Sequence, residues 1–180
     1  MRRKAITTFT PAELDLLLGA ASRPWLPWLA LGALSGIRTG REGEIPRVTW
    51  EYFKWDRRLI DLPPEVTKLN QRRSIPICDR LFKLLYPIRQ ESGSVLSQVD
   101  PCHEIARLRA ATGIKWRQNA LRHSYCSYRV AITGNVELTS LESGNSPAMI
   151  RRCYLDLKDW EEGIAFAAVT VGAKHLAAPT

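Results

Sequence analysis

The chain has 180 residues, which fits one domain, and it carries 26 Lys and Arg against 18 Asp and Glu. The net charge of +8 makes nucleic acid a candidate partner, because cationic side chains gain affinity for phosphates by releasing counterions. A merely soluble basic protein would share that charge. The start, Met1-Arg2-Arg3-Lys4, lacks the apolar run of a signal peptide, and no apolar stretch is long enough to span a bilayer. We therefore predict a soluble, cytoplasmic protein with no membrane partner.

Two helices are predicted near the N-terminus. Residues 10–13, Thr-Pro-Ala-Glu, form a capping box with proline at the first helical position, and three leucines follow at helical spacing. The stretch from Gly19 to Pro24 ends this helix. A second helix from Trp25 to Leu34 is apolar nearly all round, which predicts burial. A polar stretch from Ser35 to Gly43 follows.

Three short β-like runs come next, at Val48 to Trp55, Leu59 to Leu62 and Ser74 to Ile77. The turn Asp56-Arg57-Arg58 joins the first two runs, and a polar arm rich in cations, residues 63–73, joins the last two. This pattern predicts a small antiparallel sheet.

The remainder of the chain is predicted to be helical. Asp79 is the expected N-cap of a helix whose apolar face contains Leu81, Phe82, Leu84 and Leu85. Further helices are expected near residues 101–112, 120–133, 136–143, 147–157 and 160–170. The order of elements predicts a mainly α fold with a small antiparallel β-sheet, an α+β class.

The four cysteines, at positions 78, 102, 126 and 153, show no Cys-x-x-Cys pair or other metal-ligand spacing. Two neighbouring pairs, Cys102-His103 and His123…Cys126, have no partner pair at zinc-finger spacing. We predict reduced thiols and no bound metal.

The most informative segment begins with residues 119–125, Asn-Ala-Leu-Arg-His-Ser-Tyr. Gly144-Asn145-Ser146 follows, with Asn145 placed 23 residues after Arg122, and Tyr154 comes nine residues after Asn145. These residues and both spacings resemble the C-terminal signature of tyrosine recombinases, the phage-integrase family, which reads His-x-Leu-Arg-His, then Gly-His-Ser, then Tyr.

The resemblance implies that Tyr154 is a nucleophile that attacks a DNA phosphate and that Arg122 is the second of two arginines that grip it. A guanidinium can bind two phosphate oxygens at once, which a lysine cannot do. A free phenol ionises near pH 10, so the tyrosine needs a base or a cationic field. By itself, a tyrosine on an amphipathic helix is usually a packing residue.

The first family arginine has two candidates in this sequence. Counting from Gly36 in Gly-Ile-Arg selects Arg38, whereas counting back from Glu44 and Trp50 selects Arg41, because the segment is three residues longer than the family norm. We favour Arg38, since the apolar helix before Gly36 fixes its position and a polar loop can absorb an insertion. Arg41 remains the alternative.

The cationic arm supplies the next expected site residues. Lys68, in Val-Thr-Lys, matches the family lysine that protonates the 5′-oxygen leaving group. Arg72 and Arg73 are predicted to bind the DNA backbone together with Lys68. Glu44 is interpreted as a structural partner in the first turn of a short helix.

Two positions depart from the family pattern. Asn119 stands where the family has a proton-transferring His or Lys, and Asn145 stands where it has a His or Trp that donates a hydrogen bond to the phosphate. An asparagine can donate hydrogen bonds but cannot transfer protons. Whether His123 could take over proton transfer is open at this stage, because Arg122 and His123 point about 100° apart on a helix.

The resemblance covers nearly the whole chain, from residue 8 to about 168. It implies one catalytic domain over residues 1–180, with a C-terminal tail from about 160 and no N-terminal DNA-binding domain. It further implies site-specific cleavage and rejoining of double-stranded DNA, without cofactor or metal, by a prokaryotic or phage-encoded integrase that assembles as dimers or tetramers. The tail, through Trp160, Ile164, Phe166 and Val169, could dock on a neighbour.

Two other hypotheses stay open. Loss of proton transfer at Asn119 is compatible with a catalytically impaired DNA-binding protein of the same fold. A basic helical adaptor for protein or RNA is an unrelated alternative.

Overall fold

A computed structural model of the chain describes residues 6–40, 42–96, 100–155 and 158–168. The first two helices are α1, Pro11–Ala20, and α2, Leu26–Leu34. The predicted capping box is confirmed, because Thr10 Oγ1 accepts from Glu13 N while the Glu13 carboxylate accepts from Thr10 N. Every residue of α2 is buried, as its apolar composition predicts, so this helix lies at the centre of the core.

The sheet has three antiparallel strands in the order β1, Phe53–Lys54, β2, Leu59–Leu62, and β3, Arg73–Pro76. Its register pairs Phe53 with Ile60 and Ile60 with Ile75, so one face of the sheet packs into the core. A short 3₁₀ turn, Pro64–Val66, begins the connection from β2 to β3.

The helical part comprises α3, Asp79–Leu85; α4, Cys102–Thr112; α5, Ala120–Thr133; α6, Val136–Ser143; α7, Pro147–Cys153; and α8, Trp160–Ala168. Helix α5 is the central element of this half. The segment before α1 lies against it, because Phe9 N donates to Ser124 Oγ over 2.8 Å and Tyr128 Oη donates to Phe9 O over 2.9 Å.

Helix α8 packs against α5 of its own chain. The rings of Tyr128 and Phe166 stack with centroids 4.0 Å apart, and the buried Arg80 donates to Phe166 O over 3.0 Å. Trp160 and Ile164 remain exposed on this helix, whereas Val169 lies outside the described residues. Phe166 is therefore packed within its own chain and does not fit the predicted docking, whereas docking of Trp160 and Ile164 on a neighbouring protomer stays a prediction.

Several boundaries differ from the sequence prediction, including that of β3, which spans Arg73–Pro76 and not Ser74 to Ile77. Val48 to Trp55 is not one strand: a 3₁₀ turn at Trp50–Tyr52 precedes the short β1, and its three-residue repeat places both Trp50 and Phe53 in the core. Cys78, not Asp79, is the N-cap of α3, although Asp79 still provides an acidic group in the first turn. Helix α7 ends at Cys153, which leaves Tyr154 at its C-cap.

None of the helices within the described ranges is long and apolar enough to cross a membrane.

Candidate active site

A basin of about 700 Å³ opens where four separate parts of the chain meet. Its wall is formed by the polar loop after α2, the turn before β3, the N-terminal end of α5, and the segment from the α6–α7 turn to the end of α7. Seven residues that the sequence analysis selected for the site line this basin: Arg38, Lys68, Asn119, Arg122, His123, Asn145 and Tyr154. Folding therefore brings together seven of the side chains that the sequence selected.

Arg38 reaches the basin because the chain turns sharply after α2. Gly36 has a φ of +64°, and a Cβ atom there would lie 2.3 Å from the Tyr125 ring, so only glycine fits without a shift. Arg38 follows two residues later and donates from Nη1 to Glu44 over 2.8 Å. Its Nη2 lies 3.4 Å from Gly144 O. Arg41, the alternative first arginine, lies outside the described residues.

Glu44 connects the loop after α2 to the turn before β3. Its buried carboxylate accepts from the backbone amides of Arg38 and Lys68, both over 3.1 Å, and from the guanidinium groups of Arg38 and Arg73. Burial by itself raises the pKa of Glu44, but the charge of Arg73 and these hydrogen bonds outweigh burial and lower that pKa. Glu44 is therefore ionised and fixes the position of two cationic segments. The sequence predicted only a short-range structural role for Glu44.

Arg73 does not have the place that the sequence suggested. Its side chain is only 4% exposed; Nη2 contacts Glu44 over 2.7 Å and Nη1 donates to Ser143 O. A buried guanidinium cannot reach a DNA backbone, so the prediction of a DNA contact at Arg73 does not fit its burial. Arg72, the adjacent residue, points to the opposite side of the strand, is exposed, and binds Asp61 with two nitrogens.

Carbonyl groups at the end of α6 hold the arginines from the other side. Ser143 O accepts from both Arg73 and Arg122, and Gly144 O faces Arg38. The last carbonyls of a helix have no partner within the helix and lie at the negative end of its dipole, which favours cations there. The end of α6 therefore orients three guanidinium groups.

Arg122 is the most constrained of these three arginines. Nη1 donates to Gly36 O, and Nη2 donates to Ser143 O over 2.6 Å and to Asn145 Oδ1 over 2.9 Å. Burial lowers the pKa of Arg122, but an arginine stays protonated well above neutral pH. The basin thus contains a fixed positive charge whose side chain cannot reorient without losing several hydrogen bonds.

The two asparagines occupy different positions in the basin. Both ends of the Asn145 amide contact the protein, since Oδ1 accepts from Arg122 and Nδ2 lies 3.4 Å from Cys126 Sγ. One amide hydrogen of Asn145 remains for an anion. Asn119 precedes α5 with a φ of 59°; its exposed side chain makes no capping hydrogen bond to the helix.

Lys68 lies at the rim of the basin. Its backbone amide is held by Glu44, as described above, and its side chain is exposed. In the part of the chain that the structure describes, its ammonium group makes no ion pair or hydrogen bond.

Tyr154 lies at the end of α7, with its ring packed in the core and its hydroxyl facing His123. The phenol oxygen and His123 Nδ1 are 2.8 Å apart. Burial raises the pKa of Tyr154 far above its ordinary value, and the nearby Arg122 only partly opposes this. Burial lowers the pKa of His123, and the charge of Arg122 lowers it further. At neutral pH the pair is therefore a neutral phenol beside a neutral imidazole.

No group of three or more His, Cys, Asp or Glu side chains within residues 6–40, 42–96, 100–155 and 158–168 could hold a metal ion. The charged groups that surround the basin are mainly arginines and lysine. Such a site can bind an anion with two or more oxygens and stabilise additional negative charge on it.

Known structures with the same fold were found for this chain. The catalytic domain of bacteriophage HP1 integrase superposes with a TM-score of 0.61 at 19% sequence identity, over 82% of this chain and 86% of that one. XerA recombinase superposes with a TM-score of 0.66 at 17% identity, over 87% of this chain and 62% of that one. No protein-family model matches the sequence, and no curated protein sequence matches it significantly. The chain has the tyrosine-recombinase catalytic-domain fold, as the sequence predicted.

Proposed function

We propose that this protein cuts and rejoins double-stranded DNA at specific sites through a 3′-phosphotyrosyl intermediate. The observation that carries the proposal is the presence of Arg38, Arg122, Lys68 and Tyr154 around one basin. These residues lie on four different elements and are up to 116 positions apart in the sequence. The fold shared with a phage integrase domain and a recombinase supports the same assignment.

In the proposed reaction, the Tyr154 oxygen attacks the scissile phosphorus. A bond between phosphorus and the phenol oxygen forms, and the bond between phosphorus and the 5′-oxygen breaks. Arg38 and Arg122 neutralise the charge that develops on the phosphate oxygens, and Lys68 supplies a proton to the departing 5′-oxygen. Asn145 donates its remaining amide hydrogen to the phosphate.

Rejoining is the reverse of this reaction, with a 5′-hydroxyl attacking the phosphotyrosine. One phosphodiester is exchanged for another, so the reaction needs no nucleotide or redox cofactor. Recombination would take place between two or four protomers on double-stranded DNA, in a prokaryotic cell or during phage integration. Arg72 and Lys68, which are both exposed, would contact the DNA backbone.

A pool of nicked duplexes with randomised sequence tests the proposal. The nick lets a short fragment diffuse away after cleavage, which traps the covalent intermediate. We expect a protein–DNA product that survives denaturing electrophoresis, that is lost in Tyr154→Phe, and that persists in Tyr52→Phe, a tyrosine outside the basin. Sequencing the trapped DNA would identify the preferred site. A covalent product in Tyr154→Phe would contradict the assignment of the nucleophile.

Binding of DNA without cleavage is the second candidate function. Asn119 favours it, since an amide at that position cannot transfer a proton. This alternative predicts salt-sensitive binding to duplex DNA, with an affinity that falls as counterions are added, and no covalent product from the nicked pool. An adaptor for protein or RNA predicts no salt-sensitive duplex binding.

A further inference from the structure

The contact between His123 and Tyr154 points to a role for the last histidine of the His-x-Leu-Arg-His signature. We propose that His123 is the general base of the reaction: its Nδ1 accepts the phenolic proton of Tyr154 when the strand is cut and returns it when the strand is rejoined. The inference rests on the proposed function, since it concerns the fate of a proton in that reaction.

The partners that are present allow the hydrogen bond that a general base requires. Among the residues that the structure describes, His123 Nδ1 is the only hydrogen-bond partner of the Tyr154 oxygen, at 2.8 Å. The phenol keeps its proton at neutral pH, and a neutral imidazole has one nitrogen free to accept. The proposal requires the tautomer in which Nδ1 is the acceptor and Nε2 carries the ring hydrogen. This distance lies within the range required of a general base.

The position of His123 explains how it can act in place of Asn119. Asn119 is the residue before α5, and His123 lies in the first turn of that helix, with its backbone N donating to Asn119 O over 2.9 Å. Both side chains line the basin, and both also line a second groove of about 670 Å³ beside it. A base missing at position 119 can therefore be replaced by His123, whose side chain lines the same basin. The sequence already made His123 a candidate catalytic residue, but the angle between Arg122 and His123 on a helix left open whether it could take over proton transfer.

The second groove also borders His123. Its wall includes Thr7, Trp116 and Gln118, and it shares Asn119 and His123 with the wall of the basin. The charged groups that line the two spaces are Arg38, Glu42, Glu44, Arg47, Lys68, Lys115, Arg117 and Arg122. Cations outnumber carboxylates in this set, which opposes protonation of His123. The base should therefore stay active to a pH below the ordinary range of histidine.

The complete proton balance is simple. As the bond between phosphorus and the Tyr154 oxygen forms, the phenolic proton moves to His123 Nδ1. As the bond to the 5′-oxygen breaks, a proton moves from Lys68 to that oxygen. In rejoining, Lys68 takes the proton of the 5′-hydroxyl and His123 returns its proton to the phenol oxygen. No other reactant is required.

The decisive experiment separates the base from the acid. Single-turnover formation of the covalent complex is measured on nicked duplexes whose leaving group is the ordinary 5′-oxygen or a bridging 5′-sulfur. A thiol ionises near pH 8.5, far below an alcohol, so a sulfur leaving group needs no protonation. We expect His123→Ala to be slower by about 10²–10⁴-fold on both substrates. Lys68→Ala should be slow on oxygen only.

Two further readouts distinguish proton transfer from mere packing. Added imidazole should restore part of the activity of His123→Ala, whereas His123→Asn, which retains hydrogen bonding, should remain slow. The wild-type rate of covalent-complex formation should fall at acid pH. This decrease should be absent in His123→Ala. His103→Ala, which removes an exposed histidine on α4, is the matched control and should match the wild type. Duplex binding and thermal melting establish that each variant is folded.

The outcomes are separable. Recovery of His123→Ala by the sulfur substrate, or a rate within about threefold of the wild type on oxygen, would overturn the assignment of the base while leaving the proposed function intact. A wild-type protein that forms no covalent product on either substrate would contradict the proposed function itself, and this assignment with it.

Discussion

Replacing Glu44 by glutamine is the sharpest test of how the basin is built. Each carboxylate oxygen accepts from two donors: Oε1 from Arg38 Nη1 and Lys68 N, and Oε2 from Arg38 N and Arg73 Nη2. The amide group of glutamine has one oxygen and one NH₂ group. Either orientation of the amide therefore places NH₂ hydrogens against two N–H donors, and the buried Arg73 loses its counter-charge.

The expected cost can be estimated from the burial of the pair. The Glu44 and Arg73 side chains are 1% and 4% exposed, so solvent screens their interaction little. Breaking a buried ion pair from one side typically costs about 3–5 kcal/mol. For a domain of this length, each kcal/mol lowers the melting temperature by about 2–4 °C. Glu44→Gln should therefore melt roughly 10 °C below the wild type.

Glu42→Gln provides a matched control. Glu42 lines the same basin but is exposed, so the same change of charge should alter the free energy of unfolding by less than about 0.5 kcal/mol. Calorimetry and urea unfolding at pH 7 measure both variants. Equal and small losses in the two variants would refute the description of Glu44 as the buried link between the two segments.

The effect of Glu44→Gln on stability should depend on pH. The folded pKa of Glu44 lies below its unfolded value of about 4.3, so its contribution to stability is complete above that pH. The contribution is lost as the pH falls through the folded pKa. The difference in unfolding free energy between the wild type and Glu44→Gln should therefore be full at pH 7 and shrink under more acidic conditions.

Three further substitutions test the surrounding structure. Gly36→Ala should cost about 2–5 kcal/mol of unfolding free energy, from left-handed strain plus the clash with the core. Gly134→Ala, which has a similar φ but open space around it, should cost only about 1–2 kcal/mol; equal losses in urea unfolding would contradict the clash. Phe166→Ala should cost about 3–5 kcal/mol if α8 is part of the core, and Trp160→Ala, on the exposed side of α8, less than about 1 kcal/mol. Arg122→Lys keeps the charge but loses the planar set of donors. It should slow covalent-complex formation on the nicked duplexes by about 10²–10³-fold. A rate within about threefold of the wild type would exclude a specific role for the guanidinium.

Much of the secondary structure followed from interactions within a few residues. The capping box at the start of α1 involves Thr10 and Glu13 alone, and it was correctly predicted. Gly134 and Gly144 end α5 and α6 in the left-handed conformation, close to the predicted boundaries. The errors occurred where local patterns were ambiguous: alternating apolar residues between Val48 and Trp55 fit a strand as well as a 3₁₀ turn.

The choice of basin residues came from a resemblance in order and spacing, and the structure brings the described members of that set together. Their individual environments could not be predicted in the same way. Arg72 and Arg73 look alike in the sequence, and alternation along β3 shows only that they face opposite sides. That Arg73 points to a buried carboxylate 29 positions earlier depends on how the loop after α2 packs against the sheet.

The order of elements and the chemical groups available follow from the amino-acid sequence alone, because helix caps, turns and periodicity act over a few residues. Which of those groups meet depends on the three-dimensional fold. His123 and Tyr154 are 31 positions apart, and their contact exists because α7 ends beside the first turn of α5. Hydrogen bonding and desolvation depend on distances of a few ångströms, and packing between distant segments sets those distances.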